Sequence, residues 1–202
     1  MIITDIKFSP YRIPFQTPFQ TAVKTYSFRE GIIIEIQSDD ISGFGETAPL
    51  PDFSRESLIE ARNCLEGFLL ALEGINEELN IEDLILLAKA QCFDNASALF
   101  GLETAIYDLF SKKNNIPFWQ QFTNSVPQYI SVNGLENDVE SDINFPVYKI
   151  KLVEKNIFNV KEKIAKIQDK IGNESKIRID ANCSLDLPRA IRLCKELENF
   201  NI

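Results

Sequence analysis

Histidine is absent from this chain, and long apolar runs are absent as well. Without histidine the chain cannot form Ser-His-Asp or Cys-His nucleophile arrangements, histidine-ligated zinc or a histidine general base. Any chemistry must therefore use Lys, Asp, Glu, Tyr or Cys. No segment approaches the roughly 18 uninterrupted apolar residues that a membrane-spanning helix needs, so we expect no membrane partner.

An excess of basic charge is also missing. The chain has 30 acidic and 21 basic side chains, a net charge of −9 and an isoelectric point of about 4.7. It therefore lacks the electrostatic footprint of a nucleic-acid-binding protein. The first residues, MIITDIKFSP, lack the basic and apolar segments of a secretory signal, so we expect a cytoplasmic protein.

Cysteine is scarce and is not arranged for metal binding. The four cysteines contain no Cys-x-x-Cys pair, and the surrounding stretches are apolar helix or loop. We expect all four to be reduced thiols in the core. They are Cys64, Cys92, Cys183 and Cys194.

The first 124 residues are predicted to form one α+β domain. Strands are predicted at 2–13, 31–37 and 42–47, with a loop at 14–28. Three helices with a period near 3.6 follow, the first capped by Ser54, the second opened by Asn80 and the third spanning 96–113. Strands followed by helices indicate a segregated α+β arrangement.

The pattern changes from Val126, and residues 125–202 are predicted to form an α/β domain. Strands are expected at 128–132, 145–153 and 176–180, with helices at 156–171 and after the cap residue Asp186. This alternation is typical of right-handed βαβ units around a parallel sheet. Two or three such units cannot close an eight-stranded barrel, which takes about 250 residues. We therefore expect a small open sheet or a fragment of a longer protein.

Two lysines break the expected pattern of a buried strand. Alternation along Val147–Val153 places Lys149 and Lys151 on one face, about 7 Å apart. Strands of a parallel sheet are usually apolar on both faces. Neighbouring ammonium groups that are buried disfavour each other's protonation, which makes a lysine a general base near neutral pH. The alternative is that both lysines lie on an exposed edge strand and point into water.

The next strand ends with a carboxylate. Lys176, Arg178 and Asp180 share one face, and Asp180 lies at the carboxyl end, where α/β folds bind ligands. A carboxylate beside a neighbouring strand's lysines suits Mg²⁺. The alternative is that the segment Asp180–Asn182 is an ordinary turn that ends the strand.

Together, Lys149-x-Lys151 and Asp180-x-Asn182 resemble the enolase superfamily in its muconate-lactonizing branch. Three further segments carry the resemblance: GFGETAPLP at 43–51, GLETAIYD at 101–108 and SVNGL at 131–135. Within the branch, the chain is most similar to the o-succinylbenzoate synthases of menaquinone biosynthesis.

The resemblance implies an α+β capping domain followed by the first βα units of a (β/α) TIM-type barrel, apparently truncated. It implies Mg²⁺-dependent dehydration of 2-succinyl-6-hydroxy-2,4-cyclohexadiene-1-carboxylate to o-succinylbenzoate, with a small-molecule carboxylate as substrate. The first alternative is an N-succinylamino acid racemase or dipeptide epimerase of the same branch. The second is a non-catalytic, truncated or split barrel, completed by a second chain or a copy of itself.

The resemblance also implies roles for individual residues. Lys151 is the expected base that removes the proton α to the substrate carboxylate, and Lys149 is the expected assistant in charge balance and substrate orientation. Asp180 is the expected first of three carboxylate ligands to Mg²⁺. Arg178 and Asn182 are expected to contact the substrate.

Two loops of the capping domain, 15–28 and 48–53, are expected to cover the barrel mouth and exclude water. Their apolar residues Phe19 and Phe53 are expected to contact the substrate. Glu46, in the Gly-x-Gly-Glu turn, is expected to be structural.

Overall fold

The computed structural model describes residues 2–20, 24–75, 78–125, 128–141, 143–152 and 157–202. The chain divides into two compact units, Met1–Val126 and Pro127–Ile202. Val126, Val153 and Asn156, where predicted changes of pattern or element ends fell, lie outside the described residues. Within the described residues, every helix is too short or too polar to cross a membrane.

An antiparallel sheet opens the first unit, with strand order β1 (Asp5–Gln20), β2 (Thr25–Ser38) and β3 (Ile41–Thr47). The loop predicted at 14–28 is therefore largely wrong, because β1 and β2 continue through it. Their pairing shifts register between Pro14 and Phe19. Since β1 is an edge strand, its prolines are tolerated, and composition alone therefore misled the prediction.

Helices α1 (Leu58–Glu73), α2 (Ile81–Gln91) and α3 (Ala96–Lys113) complete this unit, and a short 3-10 helix, Phe118–Gln121, follows. The limits of α3 agree with the predicted 96–113. The first helix differs, because its cap is Ser57 and not Ser54.

Ser57 caps α1 through a reciprocal pair of hydrogen bonds with Glu60. Ser54 is engaged elsewhere, since its Oγ accepts a hydrogen bond from the Leu50 amide at 3.0 Å. Asn80 opens α2 as predicted, with Asp83 as its reciprocal partner.

The core of the first unit lies between the sheet and its helices. Ile32, Ile34 and Ile36 alternate along β2 and are at most 2% exposed, as expected for one buried face of a strand. Helix α3 approaches β3 very closely. A Cβ added to Gly45 would lie 2.0 Å from the Gly101 carbonyl oxygen, so only glycine permits this packing.

A parallel sheet forms the second unit, with strand order β4 (Gly134–Leu135), β5 (Val147–Lys151) and β6 (Lys176–Asp180). Helices α4 (Ile157–Ile171) and α5 (Leu187–Glu196) pack on it, and a 3-10 helix spans Glu136–Glu140.

The first strand of this unit is not where the sequence predicts it. Residues 128–132 form no strand, and Tyr129 and Ile130 are exposed. The strand comes at Gly134 instead, where the chain pairs with Tyr148 of β5 and where a side chain would collide with the rings of Phe145 and Tyr148. Strand propensity placed the element a few residues early, since it takes no account of this close approach.

The apolar face of the second sheet packs against both helices. Tyr148, Ile150 and Ile177 of the sheet are buried against Ile164 of α4 and Leu193 of α5. The sheet-to-helix core expected for βαβ units is therefore present.

The prediction that all four cysteines lie in the core is wrong for two of them. Cys92 is buried and Cys64 partly buried, but Cys183 and Cys194 are exposed. Leu193 of α5 and the residue that caps its carboxyl end, Leu197, are buried one turn apart, so the helical period leaves Cys194 facing outward.

Candidate active site

The candidate site lies at the carboxyl ends of β5 and β6. Strand β5 is central, between β4 and β6, so the alternative that its lysines lie on an edge strand is wrong. Parallel pairing sets Lys149 beside Arg178 and Lys151 beside Asp180. Because paired residues of neighbouring strands point to the same side, these four side chains share one face.

Lys149 and Asp180 form an ion pair across the two strands. Lys149 Nζ lies 2.9 Å from Asp180 Oδ2, and the two side chains are 42% and 35% exposed. The hydrogen bond from Lys149 lowers the pKa of Asp180 most, followed by the hydrogen bond from the Asn182 amide. The charge of Lys151 acts in the same direction. Asp180 is therefore held as a carboxylate.

The burial expected for both lysines is not observed. Lys149 is partly exposed and Lys151 is exposed. The reason is that α4 and α5 pack against the opposite, apolar face of the sheet.

The turn after β6 fixes the orientation of the Asp180 carboxylate. Asp180 Oδ1 accepts a hydrogen bond from the Asn182 amide at 2.9 Å, which is an Asx turn. Asn182 and Cys183 both have positive φ, at 46° and 56°. The ordinary turn considered as an alternative is thus present, and it leaves Oδ2 directed to Lys149.

The remaining predicted site residues are less closely grouped. Arg178 and Asn182 are exposed and belong to the same edge of the second unit. Phe19 and Phe53 belong to the first unit and are 45% and 84% exposed. Their expected contacts with substrate stay predictions.

Side chains at the start of β2 and just before it hold the segment that carries Phe53. Tyr26 Oη donates a hydrogen bond to the Pro51 carbonyl at 2.5 Å, and Arg29 donates to the Ala48 carbonyl. Lys24 pairs with Asp52 at 3.2 Å. This segment and the start of β2 line a cleft of about 520 Å³. The expected loop 48–53 is therefore fixed by side chains that sequence patterns did not single out.

Glu46 has the structural role expected of it. Tyr11 on β1 reaches across β2 and donates a hydrogen bond to the Glu46 carboxylate. Gly31 makes the crossing possible, because a Cβ there would lie 2.4 Å from the Tyr11 hydroxyl oxygen. Burial and this hydrogen bond raise the pKa of Tyr11 to about 12.

Sequence reasoning missed Leu135, the neighbour of Lys149 on β4. It is 58% exposed and pairs with Lys149 on the side opposite Arg178. The only available signal was its position at the end of the segment Ser131–Leu135, beyond the predicted strand 128–132.

Magnesium ions prefer oxygen ligands, which carboxylates provide. Asp180 is a suitable single ligand. Among the described residues, however, no group of three or more Cys, Asp or Glu side chains could hold a metal ion. These residues therefore do not form a magnesium site by themselves.

Residues 3–109 match the family described as MenC, N-terminal domain. Over 98% of its length the chain is 27% identical to an L-Ala-D/L-Glu epimerase of Clostridium acetobutylicum, of which it covers 58%. An o-succinylbenzoate synthase of Pasteurella multocida is 31% identical over 54% of the chain, which is 30% of that enzyme.

The fold matches a solved dipeptide epimerase from Enterococcus faecalis V583, complexed with Mg and the dipeptide L-Leu-L-Tyr. The TM-score is 0.84 at 23% identity, over all of this chain and 60% of that one. The chain belongs to the enolase superfamily, and within it to the MenC N-terminal domain family.

Membership of the enolase superfamily accounts for both units. The structural neighbours consist of a capping domain followed by a barrel, which confirms the predicted fold class. The similar proteins are enolase-superfamily enzymes, namely epimerases, racemases and o-succinylbenzoate synthases. The chain spans less than two thirds of the length of the curated relatives it matches.

Proposed function

We propose that the complete protein, as its gene encodes it, is an epimerase or racemase. It removes the proton α to a carboxylate of a dipeptide or N-acyl amino acid. The observation that carries the proton abstraction is the pairing of Lys151 with Asp180 at the carboxyl end of a parallel sheet. Support also comes from the epimerases that align with 98% or more of the chain.

In this proposal Lys151 is the general base. Its Nζ, in the neutral form, accepts the α proton on one face of the carbon. Inversion then needs a proton delivered to the opposite face by a second acid, which would come from outside the described residues. Lys149 is a neighbouring cation that balances the negative charge of the intermediate. Its ion pair with Asp180 fixes its position beside the base.

Asp180 is proposed as one oxygen ligand of Mg²⁺ in the complete protein. Its position at the carboxyl end of β6, paired with Lys151, supports the assignment. A metal ligand must be ionised, and the lowered pKa of this carboxyl keeps it so. The other ligands would come from outside the described residues.

A second candidate is o-succinylbenzoate synthase. It is favoured by the match of residues 3–109 to the MenC N-terminal domain family and by the partial similarity to the Pasteurella multocida enzyme. Both candidates begin with the same proton abstraction. The synthase then expels a hydroxyl group to form an aromatic product.

The test is carried out on the complete protein with Mg²⁺. Dipeptides and N-succinylamino acids are incubated in deuterated water, and exchange of the α proton is followed by NMR. Formation of o-succinylbenzoate from its precursor is followed in parallel by ultraviolet absorbance. Product formation only in the second assay would favour the synthase over the epimerase.

Lys151→Ala should lower whichever activity is found by about 10²- to 10⁴-fold, the usual contribution of a general base. Lys176→Ala is the matched control, because Lys176 lies on the same face of β6 but four residues before Asp180. Full activity in a folded Lys151→Ala variant would contradict the assignment of the base.

A further inference from the structure

Two cysteines of the first unit share a hydrogen bond inside its core. Cys64 lies on α1, and Cys92 caps the carboxyl end of α2. In the hydrogen bond that joins their side chains, the Cys92 thiol donates and the Cys64 sulfur accepts. Both residues belong to the same cluster of core side chains. The two sulfur atoms therefore lie in contact, although the two residues are distant in the sequence.

The packing of α1 against α2 sets this contact. Gly67 lies three residues after Cys64, on the same face of α1. A Cβ added to Gly67 would lie 3.0 Å from Oε1 of Gln91, the last residue of α2. Cys92 follows Gln91 directly. The carboxyl end of α2 is thus held against the face of α1 that carries Cys64.

The two thiols differ in their access to solvent and in their acidity. Cys64 is partly buried, whereas Cys92 is only 1% exposed. Burial raises the pKa of both thiols, that of Cys92 to about 12, and the shared hydrogen bond offsets part of this rise for Cys64. The thiolate is the reactive form of cysteine. Cys64 is therefore the thiol that ionises first and that an oxidant from solvent reaches, with Cys92 directly beside it.

We propose that a peroxide converts Cys64 and Cys92 into a reversible disulfide. The Cys64 thiolate attacks one peroxide oxygen and the O–O bond breaks, which leaves a sulfenic acid and a hydroxide that takes up the proton lost by Cys64. The Cys92 sulfur then attacks the Cys64 sulfur, and the hydroxyl group leaves with the Cys92 proton as a second water. Two electrons thus pass from the two sulfur atoms to the peroxide.

The disulfide ties α1 to the turn that leads into α3. The Asn95 amide donates a hydrogen bond to the Cys92 carbonyl, and the Asn95 side chain caps α3. A covalent link between Cys64 and Cys92 therefore connects all three helices of the first unit. Because a cross-link restricts the unfolded chain, oxidation should raise the Tm of this unit by roughly 5 °C or more.

The test treats the complete, folded protein with hydrogen peroxide, blocks the remaining thiols with iodoacetamide and maps the peptides by mass spectrometry without reduction. We expect the peptides of Cys64 and Cys92 as one linked species, lighter than their sum by two hydrogen atoms, which dithiothreitol separates. In urea, where the core is lost, Cys183 and Cys194 should enter mixed pairings as well. Thermal unfolding of the oxidised and the re-reduced protein measures the change in Tm.

Variants test the order of the two steps. Cys92→Ser should leave Cys64 as a sulfenic acid, which dimedone labels. Cys194→Ser is the matched control, because it removes an exposed thiol, and it should retain the linked peptide. Should Cys92→Ser fail to fold, peptide mapping of the unaltered protein decides the inference without it.

Three results would overturn the inference. They are the absence of the linked peptide from folded protein in which Cys194 is oxidised, the same mixture of pairings with and without urea, and a lower Tm in the oxidised protein. None of these measurements depends on enzymatic activity, so failure of the proposed function leaves the assignment of the disulfide intact.

Discussion

In both units helices cover one face of a sheet, but the charged groups on the opposite face are paired differently in the two units. In the first unit, charged and polar groups there have partners, such as Tyr11 with Glu46 and Lys7 with Asp5. In the second unit, cations outnumber carboxylates around Asp180. The comparison teaches that charged residues on a strand indicate a ligand site when one sign is in surplus, and a structural role when the signs are matched.

Disrupting the closed packing of the first unit should have the largest effect on stability. Gly45→Ala places a Cβ 2.0 Å from a backbone oxygen of α3. We expect a loss of about 3 kcal/mol or more in the free energy of unfolding, because neither backbone can move away easily. Urea denaturation measures it.

Gly74→Ala is the control for this experiment, since nothing lies within 4 Å of an added Cβ there and φ is −84°. It should change the free energy of unfolding by less than about 0.5 kcal/mol. Equal stability of the two variants would contradict the close approach of α3 and β3.

The core of the second unit should be the next most sensitive. Ile164 is fully buried on α4, so Ile164→Ala should cost about 2–5 kcal/mol by leaving a cavity. Ile191 on α5 is 48% exposed, and Ile191→Ala should cost less than about 1 kcal/mol. Thermal or urea unfolding followed by circular dichroism compares them. Similar losses would show that α4 does not cover the sheet as described.

On the charged face of the second unit, the titration of Asp180 tests its ion pair with Lys149. Because the Lys149 hydrogen bond lowers the pKa of Asp180, Lys149→Met should raise this pKa toward its ordinary value. The ion pair stabilises the fold above the unfolded-state pKa, and this contribution is lost as the pH falls through the lower folded-state pKa.

Carboxyl carbon chemical shifts of Asp180, followed by NMR against pH, measure this change. Lys176→Met is the control, since Lys176 does not contribute to the shift. An unmoved pKa in Lys149→Met would show that the ion pair is not formed in solution.

The smallest effect is expected for the pair of Tyr11 and Glu46 on the sheet of the first unit. Burial is the main cause that raises the pKa of Tyr11 to about 12, and the hydrogen bond to Glu46 is the next. Glu46→Gln should therefore lower this pKa only in part. Ultraviolet titration of the phenolate measures it, with Tyr11→Phe identifying the signal.

The raised pKa of Tyr11 determines how its contribution to the stability of the fold changes with pH. An unfolded tyrosine ionises near pH 10, so the contribution of Tyr11 is complete below that pH and is lost as the pH rises toward 12. A pKa of Tyr11 in Glu46→Gln equal to or higher than that of the unaltered protein would contradict the pairing.

Elements with a strong local signal were predicted well. Helix α3 and strand β6 have the predicted limits, because a period of 3.6 or 2 is a local property of the chain. The extension of β1 through Pro14 and the position of β4 at Gly134 were not predicted. Both depend on pairing with another strand: β1 pairs with β2, and β4 pairs with β5.

The candidate site shows the same division. The sequence places Lys149 and Lys151 on one face of a strand, and Asp180 at the end of the next, because side chains alternate along any extended chain. Sequence alone left open whether β5 was an edge strand, since edge and central strands differ only in their neighbours. The structure decides this by setting β5 between β4 and β6.

Alternation and helical period, which any short segment expresses by itself, thus determined the elements and the residues sharing a face. Only the tertiary structure decided which residues each face contacts. It brought Lys149 Nζ to 2.9 Å from Asp180 and set Arg178 beside Lys149 without a carboxylate partner among the described residues. The physical reason is that ion pairing and burial depend on atoms that folding brings together from distant parts of the sequence.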